Sequence, residues 1–390
     1  MIVSELPMNP SVQDVLAAAE RAAGLDDHGG DGFRESLGGV VRLLNEDADL
    51  PAERRAAAFG QLVEVLAGRL RLVEDDRRHP GIGREEVTAP LIVIGFGRSG
   101  TTFLHSIIAA DPDNRAPAYW EVARPSPPPG LAAADDPRIA LGDRDIESWL
   151  ADLPGFITQH PYWDQGGSAL MECEGFLVYD LRNHYPIQLS KIPYGTSWVA
   201  DRDDDVVRYE FHRWFLKHLQ YGAPPRRWAL KGVDHQFHLA GLRAVYPDAR
   251  LVWAHRDPVQ VCGSLLAVIS MLIRGTGKMG DPAEFARAWL DRQGELVDGI
   301  LADPFAADPA ICHVRYPDLV SDPVGTVRGV YDHFGLPVTA EFERRARAWL
   351  DAPENRPDRH GKWTYALAEY GLDEDDIDAR FAGYRERFGV

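Results

Sequence analysis

Cysteine is scarce in this chain. Three occur in 390 residues, Cys173, Cys262 and Cys312, far apart and without a CxxC pair. That spacing excludes a disulfide framework and offers no recognisable structural zinc site. Basic residues are also few: 42 against 60 acidic ones, for a formal net charge of −18. A nucleic-acid binder presents a basic face, so no nucleic-acid partner is expected. Long apolar runs are missing as well. The longest, LLAVISMLI at 265–273, is shorter than a bilayer crossing, so no membrane span is expected. The opening MIVSELPMNPSVQD has no basic stretch leading into an apolar one, so no secretory leader is expected. There is no internal repeat and no low-complexity segment. These absences describe a soluble, reduced, cytoplasmic protein, and the length suits one large α/β domain or two domains.

What is present begins at residue 91. The segment LIVIGFGRSGTT runs from apolar residues through a glycine-rich turn into the amphipathic stretch TTFLHSIIAA. From Gly95 to Gly100 and the Thr101-Thr102 pair, the spacing is that of a Walker-A loop. One residue differs: Thr101 stands where that loop carries lysine, and the nearest cation is Arg98, inside the turn. Such a loop aims backbone N–H groups at an anion and sets it on a helix N-terminus. A phosphate-like ligand is therefore expected. The missing lysine argues against the triphosphate of an ATPase.

The pattern along the chain gives an architecture. Residues 11–75 read as helices, opened by Ser11 with Asp14 three residues on, close to a capping box. Downstream of 89, LIVIG, RRWALKG, RLVWAHRDP and AICHVRYPDL read as strands, each followed by a helical stretch. Asp257-Pro258 and Asp322-Pro323 are helix openings. The segment from Gly361 to Phe388 reads as helical. Alternating strands and helices imply a parallel sheet covered on both faces. The expected fold is thus α/β, a P-loop-type parallel sheet flanked by helices, with an N-terminal helical region. The expected boundaries are 1–88 for the helical region, packed on the main domain, and 89–390 for the α/β domain. Residues 125–225 form an insert on the ligand side, rich in aromatics such as Phe156, Trp163 and Tyr179 that suit an apolar pocket.

In parallel sheets ligands sit beyond the carboxyl ends of the strands. Four regions follow predicted strands and are expected to face one cleft: Gly95–Thr102, Lys231–His235, Arg256 and Tyr316. Arg256 closes a strand, and Ser264 lies about two turns into the next helix. Arginine binds phosphate through two parallel hydrogen bonds and serine donates a hydroxyl, so this pair is a second anion site. Two anion sites imply a nucleotide phosphorylated at both ends. His235 and His238 form HxxH, half of a metal site, but no third ligand lies near them in sequence, so no metal is expected. Glu172 and Glu174 read as helix-capping acids.

In this order, GFGRSGTT, LKGVDH, HRDPVQVCGSL, VRYPDLVSDP and GKWTYAL…YRERF resemble the sulfotransferases that use 3′-phosphoadenosine 5′-phosphosulfate (PAPS). The likeness is strongest to a bacterial branch with an N-terminal helical region, and it runs over nearly the whole chain. It implies that Arg98, Ser99, Gly100, Thr101 and Thr102 hold the 5′-phosphosulfate, and that Arg256 and Ser264 hold the 3′-phosphate. Lys362, in the C-terminal GK pair, reaches the nucleotide by the same likeness. Lys231 contacts the bridging oxygen as charge builds on it. The acceptor is then a hydroxyl on a small, hydrophobic molecule, and PAP is the product. Two residues are candidates for the base that takes the hydroxyl proton. Glu121, in AYWEVARP, matches a catalytic glutamate of some bacterial members, and His235 follows the lysine at a longer spacing than usual. A sulfuryl group carries less negative charge than a phosphoryl group, so transfer without metal is expected. The rival readings are a P-loop small-molecule kinase or nucleotide hydrolase, and a nucleotide-binding module without catalysis. The sequence is compatible with a homo-oligomer and does not fix its order.

Overall fold

The computed structural model describes residues 6–47, 50–182, 205–276, 280–361 and 363–390. Its centre is a five-stranded sheet, β1 Leu91–Ile94, β2 Asn114–Arg115, β3 Arg227–Gly232, β4 Arg250–His255 and β5 Cys312–Arg315, in the order β2-β3-β1-β4-β5. All pairs are parallel. The four expected strands are present, and β2 is a fifth. Two residues at a sheet edge are too few to leave a periodic signal.

Every residue of β1 is buried, as a strand covered on both faces requires. Alternation sends Leu91, Val93, Ala229, Val252 and Ala254 to one face, against Leu104, Ile107 and Ile108 of α4, Thr101–Ala109. It sends Ile92, Ile94, Leu230, Leu251 and Trp253 to the other, against Phe176, Tyr209, Phe215, Leu239 and Leu242. The chain leaving β1 therefore runs along one face. The chain leaving β3 enters the helix Leu239–Val245 on the other. A crevice opens where neighbouring strands send the chain to opposite faces. Lys231 lies there, paired in register with Val93.

Three N-terminal helices, α1 Val12–Ala23, α2 Arg34–Arg42 and α3 Ala52–Arg78, bury a core of their own around Leu16, Phe33, Leu37, Phe59 and Leu66. Ser11 and Asp14 form the expected capping box. The buried Arg69 ties α3 to the main body: Nη1 donates to the Tyr179 carbonyl at 3.1 Å and to Asp180 at 2.9 Å. The helix Pro258–Thr276 opens on Asp257, whose carboxylate accepts the Val259 N–H at 2.8 Å. Among the described residues this helix alone is long and apolar enough to cross a bilayer, and 61% of that stretch is buried inside the protein, as a core helix is. Helix Glu374–Phe388 occupies only the latter part of the expected C-terminal helix. Residues 363–366 are non-helical, and Tyr365 bonds the Gln260 carbonyl.

Candidate functional site

The loop between β1 and α4 is shaped by its glycines. Gly95 has φ +137° and Gly100 φ +90°. A Cβ on Gly100 would lie 2.7 Å from the Tyr316 ring, and one on Gly95 would lie 2.5 Å from the Ala254 carbonyl. Side chains are excluded at both points, which is why this sequence makes a tight turn here. Arg98 also takes a left-handed backbone, φ +71°. No side chain caps α4, so its first-turn N–H groups face the loop, as an anion site requires. Ser99 is buried, and its hydroxyl donates to the Phe96 carbonyl at 2.7 Å.

The other expected anion ligands converge on this loop. Arg98 Nε donates to Ser264 Oγ at 2.9 Å, and Nη1 donates to the Gln159 carbonyl at 2.9 Å. Arg256 Nη1 donates to the Arg98 carbonyl at 2.9 Å, and its guanidinium lies 4.2 Å from the centre of the Tyr316 ring. Among the described residues neither Arg98 nor Arg256 pairs with a carboxylate. Burial, and then the charge of Arg256, hold the Arg98 guanidinium below its usual range. Two cations side by side with no acid between them form a site that an anion stabilises. Tyr365 closes the outer edge, donating to the Gln260 carbonyl at 3.1 Å. It brings the C-terminal segment to the cleft, although Lys362 lies outside the described residues.

Lys231 is buried at the end of β3. Its Nζ donates to Thr102 Oγ1 at 3.2 Å and lies 2.6 Å from Glu172 Oε2. The segment holding Glu172 is anchored beside it, because the Cys173 N–H donates to the Lys231 carbonyl at 2.8 Å. Glu174 accepts the Asp234 N–H at 3.0 Å, and burial, with Glu172 second, pushes its carboxyl up to about 8. Sequence had read Glu172 as a cap. Its partner lies on a strand distant in the chain, so no local spacing could reveal it.

The two expected bases are each held by other groups. Glu121 accepts from Arg115 Nη2 at 2.8 Å and from the Ala118 N–H at 2.9 Å, at the start of the helix Tyr119–Ala123. Both oxygens are thus engaged in a buried ion pair and a helix start. His235 is fully buried on the sheet face opposite Thr102, its Nδ1 hydrogen-bonded to Tyr209 at 2.8 Å. A base must reach the proton it takes, and here the Glu121 carboxylate is held by Arg115 and the Ala118 N–H while His235 is held by Tyr209. His160 stacks on Phe156 with centroids 4.3 Å apart. Burial, then the charges of Arg98 and Lys231, hold its imidazole well below the ordinary range. Phe156 also meets Trp149 and Trp163, an aromatic cluster close to Gln159, whose carbonyl accepts from Arg98. Of the other aromatics, Tyr179 belongs to the core, donating to the Val122 carbonyl at 2.9 Å.

The fold and the sequence have known counterparts. Over 97% of its length the chain superposes on 96% of the sulfotransferase STF9 from Mycobacterium avium, with a TM-score of 0.85 and 28% identity. The sulfotransferase STF1 from Mycobacterium tuberculosis H37Rv gives 0.79 and 27%, covering 96% of this chain and 99% of that one. The omega-hydroxy-beta-dihydromenaquinone-9 sulfotransferase Stf3 of Mycobacterium bovis is 24% identical over 275 residues, 67% of this chain and 66% of the relative. The match to that relative thus spans just under two thirds of its length. Residues 90–340, which contain the loop, Lys231, Arg256 and Ser264, match the family described as the sulfotransferase family. By sheet, loop and matched span together, the chain belongs to the sulfotransferase family.

Proposed function

We propose that this protein transfers a sulfuryl group from PAPS to the hydroxyl of a small hydrophobic molecule. The observation that carries the donor is the pair Arg98 and Arg256, joined through the Arg98 carbonyl and unpaired with any carboxylate among the described residues. The α4 N-terminus and loop residues Ser99, Gly100, Thr101 and Thr102 form the 5′ end of the site, and Arg256 with Ser264 forms the 3′ end. Lys362 joins it from the C-terminal segment by family likeness.

In the reaction the bond between sulfur and the bridging oxygen of the donor breaks, and a bond forms from the acceptor oxygen to sulfur. The departing 5′-phosphate gains negative charge. Lys231, Arg98 and the loop N–H groups stabilise that charge. The acceptor proton needs a base, and Glu172 is the carboxylate that touches Lys231. When the lysine turns to the leaving oxygen, Glu172 is released to take the proton. Glu121 and His235 remain behind as structural groups in this reading.

The aromatic cluster of Trp149, Phe156 and Trp163 favours an apolar acceptor, in keeping with the menaquinone derivative named for the Stf3 relative. The mostly buried Pro258–Thr276 helix favours a cytoplasmic enzyme without a membrane span. Replacing Lys231 tests the account. Lys231→Ala should lower turnover about 10²–10³-fold while PAP affinity stays within about threefold. Unchanged turnover contradicts the role given to Lys231.

A further inference from the structure

Behind the cleft, on the sheet face opposite α4, three side chains from separate segments meet. They are Cys173, before the short helix Glu174–Leu177, His212 of helix Asp205–Gln220, and His235 after β3. All are buried: Cys173 is 1% exposed, and both histidines are 0% exposed. One ligand atom from each lies within 4.8 Å of the others. The two rings stand at 85° with centroids 5.8 Å apart.

The hydrogen bonds leave matching vacancies. His212 Nδ1 bonds the Tyr246 hydroxyl at 2.7 Å, and His235 Nδ1 bonds the Tyr209 hydroxyl at 2.8 Å. The Nε2 atom of each ring is buried and has no hydrogen-bond partner among the described residues. Buried polar atoms are rarely left so, and here two share one cluster. A tautomer that donates from Nδ1 to a tyrosine oxygen leaves a lone pair on Nε2. That is how ligating histidines are oriented in metal sites. His238, the other half of HxxH, is different. Its Nδ1 lies 2.7 Å from Asp205, and its Nε2 bonds Arg208 at 2.8 Å.

We propose that Cys173, His212 and His235 bind a zinc ion that pins helix Asp205–Gln220 to the end of β3. A thiolate and two imidazoles are a zinc donor set. Bond lengths of about 2.0–2.1 Å to nitrogen and 2.3 Å to sulfur place tetrahedral ligand atoms roughly 3.3–3.6 Å apart. The observed cluster reaches that by about 1 Å of side-chain movement. Binding releases one proton, from the Cys173 thiol, to solvent. The Glu174 carboxylate stands at the rim: a Cβ on Gly232 would lie 2.5 Å from His235 Nε2 and 3.0 Å from Glu174 Oε1. The fourth position is left to water or to a rotated Glu174 side chain. Because Cys173 adjoins Glu172, the ion fixes the segment that holds Glu172 against Lys231. The ion takes no part in sulfuryl transfer, and the site does not depend on which donor the cleft binds.

The test is metal content and cobalt spectroscopy on the full-length protein. Protein stripped with chelator and reloaded should take up one zinc per chain and melt about 5 °C or more higher. Cobalt in its place should give the charge-transfer band of a thiolate ligand. Cys173→Ser should abolish that band, His212→Gln should abolish stoichiometric uptake, and Tyr246→Phe should weaken affinity about 10–100-fold. His238→Gln should retain the metal. Absence of stoichiometric zinc in the reloaded protein, or a cobalt spectrum without the thiolate band, overturns the site and leaves a buried water between the imidazoles. Both readings come from the wild-type protein, so a variant that fails to fold does not shelter the proposal.

Discussion

Arg98 and Ser264 share a hydrogen bond of 2.9 Å, from Nε to Oγ. They belong to the two anion sites that sequence assigned to opposite ends of one nucleotide. The bond makes the loop after β1 and the helix after β4 a single unit. Ser264→Ala removes a partner of Arg98 and a proposed ligand of the 3′-phosphate. A hydrogen bond to a charged group contributes about 1.5–3 kcal/mol, so PAP affinity should fall about 10- to 150-fold by calorimetry. An unchanged affinity separates Ser264 from the nucleotide.

Glu172 and Glu121 make opposite predictions. Glu172→Gln keeps the shape of the Lys231 contact and removes the base. It should lower kcat about 10²–10⁴-fold, with PAP affinity little changed. Glu121→Gln disrupts a buried ion pair with Arg115. It should lower the melting temperature by several degrees and leave kcat within about threefold. The reverse pattern restores Glu121 as the base.

Acid should unfold the protein in part through His105. This buried histidine lies beside the Ala229 carbonyl, 3.0 Å from its Nε2. Burial first, and the Lys231 charge after it, hold its imidazole down at about 4, against 6.5 for a free imidazole. Between those values the unfolded chain binds a proton that the folded chain refuses. The contribution of His105 is therefore complete above about pH 6.5 and is lost as pH falls towards 4. Urea unfolding at several pH values should show stability rising across that window. His105→Gln should flatten part of the slope. An identical slope in that variant assigns the acid limb to other groups.

The sequence was most legible where chemistry is local. The loop was visible because an apolar strand, a glycine turn and an amphipathic helix adjoin one another. Arg256 and Ser264 were visible because they occupy a strand end and the next helix. Their convergence with Lys231 and Tyr316 followed from the rule for parallel sheets. Contacts made across the fold were hidden. The Lys231–Glu172 pair joins a strand to a loop with no shared spacing, so Glu172 read as a cap. Glu121, the favoured candidate base, and His235 give no local sign that Arg115 and Tyr209 hold them. Cys173, His212 and His235 come from three segments, so counting cysteines and HxxH pairs could not assemble them.

The most direct test is calorimetry of PAP binding to the wild-type protein and to Arg256→Ala, with ATP-magnesium titrated alongside. The account predicts stoichiometric PAP binding to the wild type. It also predicts an affinity at least about tenfold weaker in Arg256→Ala, as loss of a charge-assisted contact requires. ATP-magnesium should bind far more weakly than PAP. Tight ATP-magnesium binding with no heat from PAP would contradict it and assign the cleft to phosphoryl chemistry.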